Sequence, residues 1–245
     1  MRCIAAIAAA ALLLSGCNKS EDDSDRAETA RAFPQAHRAV SQLGGSSVET
    51  EIERDRVKEA QSVMELAEIR PGMTVADIGA GDGYYTVRLA ERVGRDGRVL
   101  AQDIDSNALR RLGLRVERER LDNVSIKKGD ADDPRLPAAS FDRVFLVYMY
   151  HEVTEPYAFL WRLYPALRKG GKVIVVEMDK PTDQHGIPPA LLFCEFAAVG
   201  FRLAEFVRKP ELQGYYAQFE VAPQRPAPSE IKTCRVSDKM AAAKR

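Results

Sequence analysis

Residues 74–83, Thr-Val-Ala-Asp-Ile-Gly-Ala-Gly-Asp-Gly, constrain this chain more than any other stretch. The apolar run at Val75, Ala76 and Ile78 predicts a strand buried on both faces. Three glycines at alternate positions follow, Gly79, Gly81 and Gly83, and a helix opens at Tyr84. Glycine suits a loop that must turn sharply, enter positive φ and let a ligand approach the main chain without interference from Cβ. The next predicted strand, residues 98–103, ends in Asp103. In a right-handed βαβ unit that carboxylate lands beside the glycine loop, placed to bond a ribose diol. A strand, a glycine loop, a helix and an acid-terminated strand together describe a site for a nucleotide-like ligand.

The glycine spacing narrows the ligand. A dinucleotide fingerprint reads G-x-G-x-x-G, and Tyr84 stands where its third glycine is needed, which disfavours an oxidoreductase using NAD. The observed G-x-G-x-G resembles motif I of the class I S-adenosylmethionine-dependent methyltransferases. Further landmarks follow in that family's order: Gly129-Asp130-Ala131 after a third strand, Leu136-Pro137 before Ser140-Phe141-Asp142, and Gly170-Gly171 before a fifth strand. They cover roughly residues 55–221. The resemblance implies an α/β fold, a Rossmann-like, seven-stranded, mostly parallel sheet with helices on both faces, its last strand antiparallel. It also implies S-adenosylmethionine as cofactor and a small-molecule methyl acceptor.

Carried over position by position, the resemblance gives Asp77 the ordering of the loop and the methionyl amino group. Gly79, Ala80, Gly81 and Gly83 present backbone to the cofactor. Asp103 holds the ribose hydroxyls, Ile104 packs on adenine, and Asp130 with Ala131 meets the adenine edge, although Asp132 and Asp133 leave that register open. Tyr84 covers the cofactor or offers a ring face to its cation, with helix packing as the alternative. Asp105 is read as a helix cap and Asp142 as a strand-entry residue. His151 and Glu152, beyond the fourth strand (residues 143–149), lie where the family keeps groups near the reacting methyl. An imidazole titrates near neutrality, which suits proton transfer, so both are candidate catalytic residues; packing or capping is the alternative. No Cys-x-x-Cys or histidine cluster predicts a metal site, and no Gly-x-Ser-x-Gly elbow predicts a hydrolase.

Around this core, one helix is expected over residues 53–68, another from Pro156 to near residue 168, and a third from Pro188-Pro189. A final strand pair is expected at residues 201–207 and 215–221. The equal counts of 36 basic and 36 acidic residues give no support to nucleic-acid binding, which usually needs a basic face.

The ends carry a separate message. Arg2, an apolar stretch over residues 4–14, and Leu14-Ser15-Gly16-Cys17 resemble a bacterial lipoprotein signal peptide. It implies cleavage after residue 16 and a lipidated Cys17 holding the protein at a membrane, facing the periplasm. Asn18 favours the outer membrane of a Gram-negative source. The expected layout is a signal peptide (1–16), a lipidated flexible tether (17–47), a methyltransferase-like domain (48–221) and a Pro-rich basic tail (222–245). Cys194 is expected as a core thiol, and its pairing with Cys234 stays open, as does the oligomeric state. Because S-adenosylmethionine is made in the cytoplasm, a non-catalytic envelope lipoprotein that binds a nucleoside-like ligand stands as the alternative function.

Overall fold

The computed structural model describes residues 23–44 and 50–235. The expected signal peptide and Cys17 lie outside the described residues. The described chain builds a seven-stranded sheet in the order β3-β2-β1-β4-β5-β7-β6. Its strands are β1 (Thr74–Ile78), β2 (Arg98–Asp103), β3 (Val124–Lys128), β4 (Phe141–Val147), β5 (Leu167–Met178), β6 (Phe201–Lys209) and β7 (Gly214–Val221). Only β7 runs antiparallel, to β5 on one side and β6 on the other. The expected architecture is therefore observed.

Period-two alternation along the central strands feeds two cores. Val75, Val99, Phe145 and Ile174 face one side with α2 (Glu59–Leu66) and α3 (Tyr84–Val93). Ala76, Ile78, Val144 and Val173 face the other with α5 (Pro156–Leu163) and α6 (Pro189–Ala198). Among the remaining helices, α4 (Ser106–Glu119) buries Ala108 and Leu112. Asp105 accepts from the Asn107 N–H as its N-cap, as expected. Asp142 is likewise structural, accepting from the Thr74 N–H and pairing with Arg168. Strand order reverses between β1 and β4, and ligands of open α/β sheets bind at the carboxyl end of that switch point.

Three local expectations are corrected. The single helix over 53–68 is two helices, α1 (Glu51–Arg56) and α2, broken where Lys58 takes φ +54°. The break turns Arg54 inward, where it makes three hydrogen bonds to the Glu59 carboxylate. The helix from Pro156 stops at Leu163, because Leu167 already pairs with Phe141 in the sheet.

The third correction concerns both ends. Within the expected flexible tether, residues 23–44 pack on the domain. Ala30 and Phe33 join the core, Arg26 pairs with Glu155, and Arg38 pairs with Glu195 with both side chains only 1% exposed. The composition is polar, but its charges find buried partners far along the chain. Residues 222–235 of the expected tail are ordered too. Trp161 Nε1 donates to the Pro226 carbonyl, Ile231 is buried, and Cys194 is joined to Cys234 by a disulfide. Cys194 is thus not a free core thiol.

Candidate functional site

β1 ends where the chain must leave the sheet and turn into α3. Gly79, Gly81 and Gly83 take φ of +67°, +54° and +87°. At Gly79 and Gly83 a side chain would also strike a neighbour: an added Cβ would lie 2.8 Å from Met149 Cβ and 2.5 Å from Leu112 Cδ1 respectively. At Gly81 an added Cβ would meet nothing within 4 Å among the described residues, so its backbone borders open space there. The Gly81 N–H donates to Asp103 Oδ2 at 2.9 Å, and the Asp105 N–H donates to Oδ1 at 2.9 Å. The carboxylate that ends β2 is thus fixed against the glycine loop and keeps free lone pairs for a diol.

These groups line a crevice of about 1050 Å³ at the carboxyl ends of β1, β2 and β4. That volume reaches the upper end of small-molecule sites. Every residue expected to touch the cofactor lines it except Gly83. Gly83 serves packing instead, letting the start of α3 approach Leu112 of α4. Asp77 is buried, accepts from Thr86 Oγ1 at 2.6 Å, and has its pKa pushed up to about 6, chiefly by desolvation. The acidic loop after β3 now has a register. Asp130 lines the crevice and pairs with Arg135, whereas Asp132 turns away to bind Thr29 and Arg162. A Cβ at Gly129 would overlap Gln102 Nε2 at 1.7 Å and force that side chain to move.

Tyr84 borders the crevice, but its ring faces are occupied. The guanidiniums of Arg54 and Arg88 each lie 3.7 Å from its centroid, too close to share one face. Its hydroxyl donates to Asp55. The expected ring-face contact with a cofactor cation is therefore corrected: no face is left for it.

The two candidate catalytic residues separate. Beyond β4, Tyr148 takes φ +51° and residues 150–152 form a tight 3₁₀ turn. Glu152 reaches the crevice wall, accepts from the Gly44 N–H, and has its pKa raised by burial. His151 is 1% exposed and lies behind that wall, its Nδ1 2.9 and 3.0 Å from the two oxygens of the fully buried Glu177. His151 Nε2 lies 3.9 Å from Glu152 Oε1 and has no hydrogen-bond partner among the described residues. The sequence shows no histidine cluster, but the fold brings donor atoms of His151, Glu152 and His185 within 4.8 Å of one another.

The sequence reading missed the roof of the crevice: Ser41, Leu43 and Gly44 from the N-terminal segment, with Glu51 and Arg54 from α1. Only the capping box of Thr50 and Glu53 announces α1 locally. No local signal marks residues 40–44, Glu177 or His185.

Comparison with known proteins agrees with this geometry. The family model described as "Methyltransferase domain" matches residues 75–171. The ubiquinone/menaquinone biosynthesis C-methyltransferase UbiE of Shewanella sp. (strain ANA-3) is 33% identical over 124 residues, 50% of this chain and 48% of that protein. The UbiE of Hydrogenovibrio crunogenus is 34% identical over 125 residues, covering 49% and 47%. The chain thus spans about half the length of the curated relatives it matches. Among solved structures, a SAM-dependent methyltransferase from Aquifex aeolicus superposes with a TM-score of 0.61 at 24% identity, covering 68% of this chain and 90% of that one. The cyclase SpnF superposes with a TM-score of 0.60 at 15% identity, covering 79% and 90%. Residues 75–171 match the model of a methyltransferase domain, and they lie in a sheet of the class I methyltransferase architecture.

Proposed function

We propose that this protein is an S-adenosylmethionine-dependent methyltransferase acting on a small-molecule acceptor and held at the bacterial envelope through a lipidated Cys17. The observation that carries the enzymatic part is the Gly81–Asp103 contact at 2.9 Å, which sets a bare main chain and a ribose-binding acid at one crevice. The fit to the cofactor rests on open space at Gly81, a buried carboxyl at Asp77, and Asp130 with Ala131 on the wall. When bound, S-adenosylmethionine supplies an electrophilic methyl on a sulfonium.

The residues have little covalent work to do. Methyl transfer needs alignment and exclusion of water more than acid–base catalysis. Val40, Leu43, Met149, Val153 and Phe159 give the same crevice apolar walls, which suit an acceptor with an apolar body. Glu152 supplies the polar contact to that acceptor, with His151 buried behind it, its Nε2 3.9 Å from Glu152 Oε1. The name of the UbiE relatives makes a precursor of ubiquinone or menaquinone the first acceptor to try.

The envelope location is supported by the signal-like sequence and by the Cys194–Cys234 disulfide, a bond that persists in oxidising compartments. Because the cyclase SpnF shares the fold, fold alone does not assign methyl transfer. Calorimetric titration of S-adenosylmethionine decides the site: Asp103→Ala should weaken binding at least about tenfold. Equal affinity for both proteins would reject the assigned contact. Transfer of labelled methyl to an envelope extract then separates an enzyme from a lipoprotein that only binds a nucleoside-like ligand.

A further inference from the structure

His151 is held as metal-binding histidines are held. A carboxylate only accepts hydrogen bonds, so the Nδ1 facing Glu177 carries the hydrogen, and a neutral ring then presents a lone pair at Nε2. The His151 N–H also donates to Glu177 Oε1, which locks ring and backbone to one buried anion. This carboxylate–imidazole pairing fixes both tautomer and orientation, and metal sites use it to aim Nε2 at the ion. Here Nε2 is buried and without a hydrogen-bond partner among the described residues. Buried polar atoms are nearly always paired.

A second orphan lies beside it. His185 Nδ1 is buried and has no hydrogen-bond partner among the described residues. The two imidazoles meet edge to face, 5.6 Å between centroids. His185 takes φ +53°, a backbone conformation unfavourable for its side chain. It is kept there by its own N–H donating to Ser41 Oγ, while Ser41 donates to the Thr182 carbonyl. Backbone strain held by surrounding contacts is characteristic of functional positions. The third group is Glu152, whose carboxylate closes the triangle.

We propose that His151 Nε2, His185 Nδ1 and the Glu152 carboxylate bind one divalent transition-metal ion at the crevice wall. Metal bonds of about 2.0–2.2 Å place neighbouring donors about 3–3.5 Å apart. One donor atom from each of the three residues lies within 4.8 Å of the other two, so the donors close by about 1–1.5 Å on binding. Glu152 and His185 are less buried than His151 and supply that movement. Two imidazoles with one carboxylate suit zinc, iron, cobalt or nickel, whereas calcium and magnesium prefer all-oxygen shells. Because Glu152 lines the crevice, the ion's remaining positions open there, where it would hold an acceptor oxygen or a water and favour its deprotonated form. That last role rests on the methyl-transfer reading; metal binding does not.

The test uses the full chain without a polyhistidine tag, stripped with a chelator and titrated with zinc or with cobalt as a spectroscopic probe. One equivalent should bind, and cobalt should give a visible d–d band. X-ray absorption of the zinc-loaded protein should count two imidazole ligands, a readout that needs no variant. His185→Ala should weaken binding by about 100-fold or more while leaving S-adenosylmethionine affinity intact, which excludes misfolding as the cause. Failure to bind zinc and cobalt, a shell of oxygen ligands only, or equal affinity in the variant would overturn the proposal and leave a bridging water at the site. Metal binding in a chain that transfers no methyl group would reject the enzymatic reading and leave the metal site standing.

Discussion

A methyl group added at Gly81 would meet no atom of the described residues within 4 Å, whereas one at Gly83 would press on Leu112 Cδ1 at 2.5 Å. Both positions have positive φ, so alanine costs about 1–2 kcal/mol at either. Only at Gly83 does overpacking add to that, by a further 1–3 kcal/mol or so. Gly81→Ala should therefore fold with a modestly lowered midpoint and lose cofactor affinity. Gly83→Ala should lose most in thermal unfolding. The reverse ranking in melting and titration would show that the loop's roles are misassigned. Asp77 makes a different prediction, through its proton. Burial raises its pKa from an ordinary 3.8 to about 6, with Thr86, Arg54 and the nearby Asp103 as smaller influences. The folded state then binds the proton more tightly than the unfolded state. Its contribution to stability is full below about pH 4 and lost as pH rises through about 6, roughly 3 kcal/mol in all. An ammonium group facing Asp77 favours the ionised form, so cofactor affinity should rise over the same window. Denaturation and titration at pH 5 and pH 7 check both signs, and Asp77→Asn should flatten both profiles.

Arg38 shows how the N-terminal segment is held. Its guanidinium donates to Glu195 and to the carbonyls of Tyr150, His151 and Val153, so residues 40–44 are delivered to the crevice by an anchor buried elsewhere. Removing one partner of a buried ion pair costs about 3–5 kcal/mol, because the other charge stays buried. Arg38→Ala should lower stability by about that amount and expose residues 23–44 to limited proteolysis. An unchanged midpoint with no new cleavage would mean that the segment is held by its apolar contacts alone. The same contact explains what the sequence could and could not disclose. From β1 to β2, apolar periodicity, glycines and a terminal acid all lie within one supersecondary unit, so strand, loop and Asp103 were legible together. Gly83 was misjudged because a local motif does not distinguish a glycine that faces a ligand from one that faces a helix. Residues 23–44 read as a free tether because polar composition hides two buried ion pairs whose partners, Glu155 and Glu195, lie far along the chain. His185 was illegible for a similar reason: nothing near it in sequence points to His151.

At the scale of the molecule, the N-terminal segment and the tail form one clamp over the α5–α6 side of the sheet. Phe33 packs edge-on against one part of Trp161, and the Arg225 guanidinium lies 3.7 Å over its ring. His37 and Arg235 pair in an isolated β-bridge, joining segment to tail directly. The neighbouring Cys234 donates its N–H to Tyr157 on α5 and is covalently tied to Cys194 on α6. The disulfide therefore staples a tail that braces the segment roofing the crevice. A bridge between residues 40 apart stabilises by about 4 kcal/mol if it acts by restricting the unfolded chain, and by less where the unfolded state keeps structure. Reduction, or the pair of substitutions Cys194→Ser and Cys234→Ser, should lower the unfolding midpoint and open residues 222–235 and then 23–44 to protease. Cofactor affinity should fall with them, because Leu43 and Gly44 leave the crevice wall once the brace is gone. In the double variant, reductant should have no further effect. A wild-type chain whose bond is shown by thiol labelling to be cleaved, yet whose midpoint, cleavage pattern and cofactor affinity are unchanged, would show that the clamp holds without its staple.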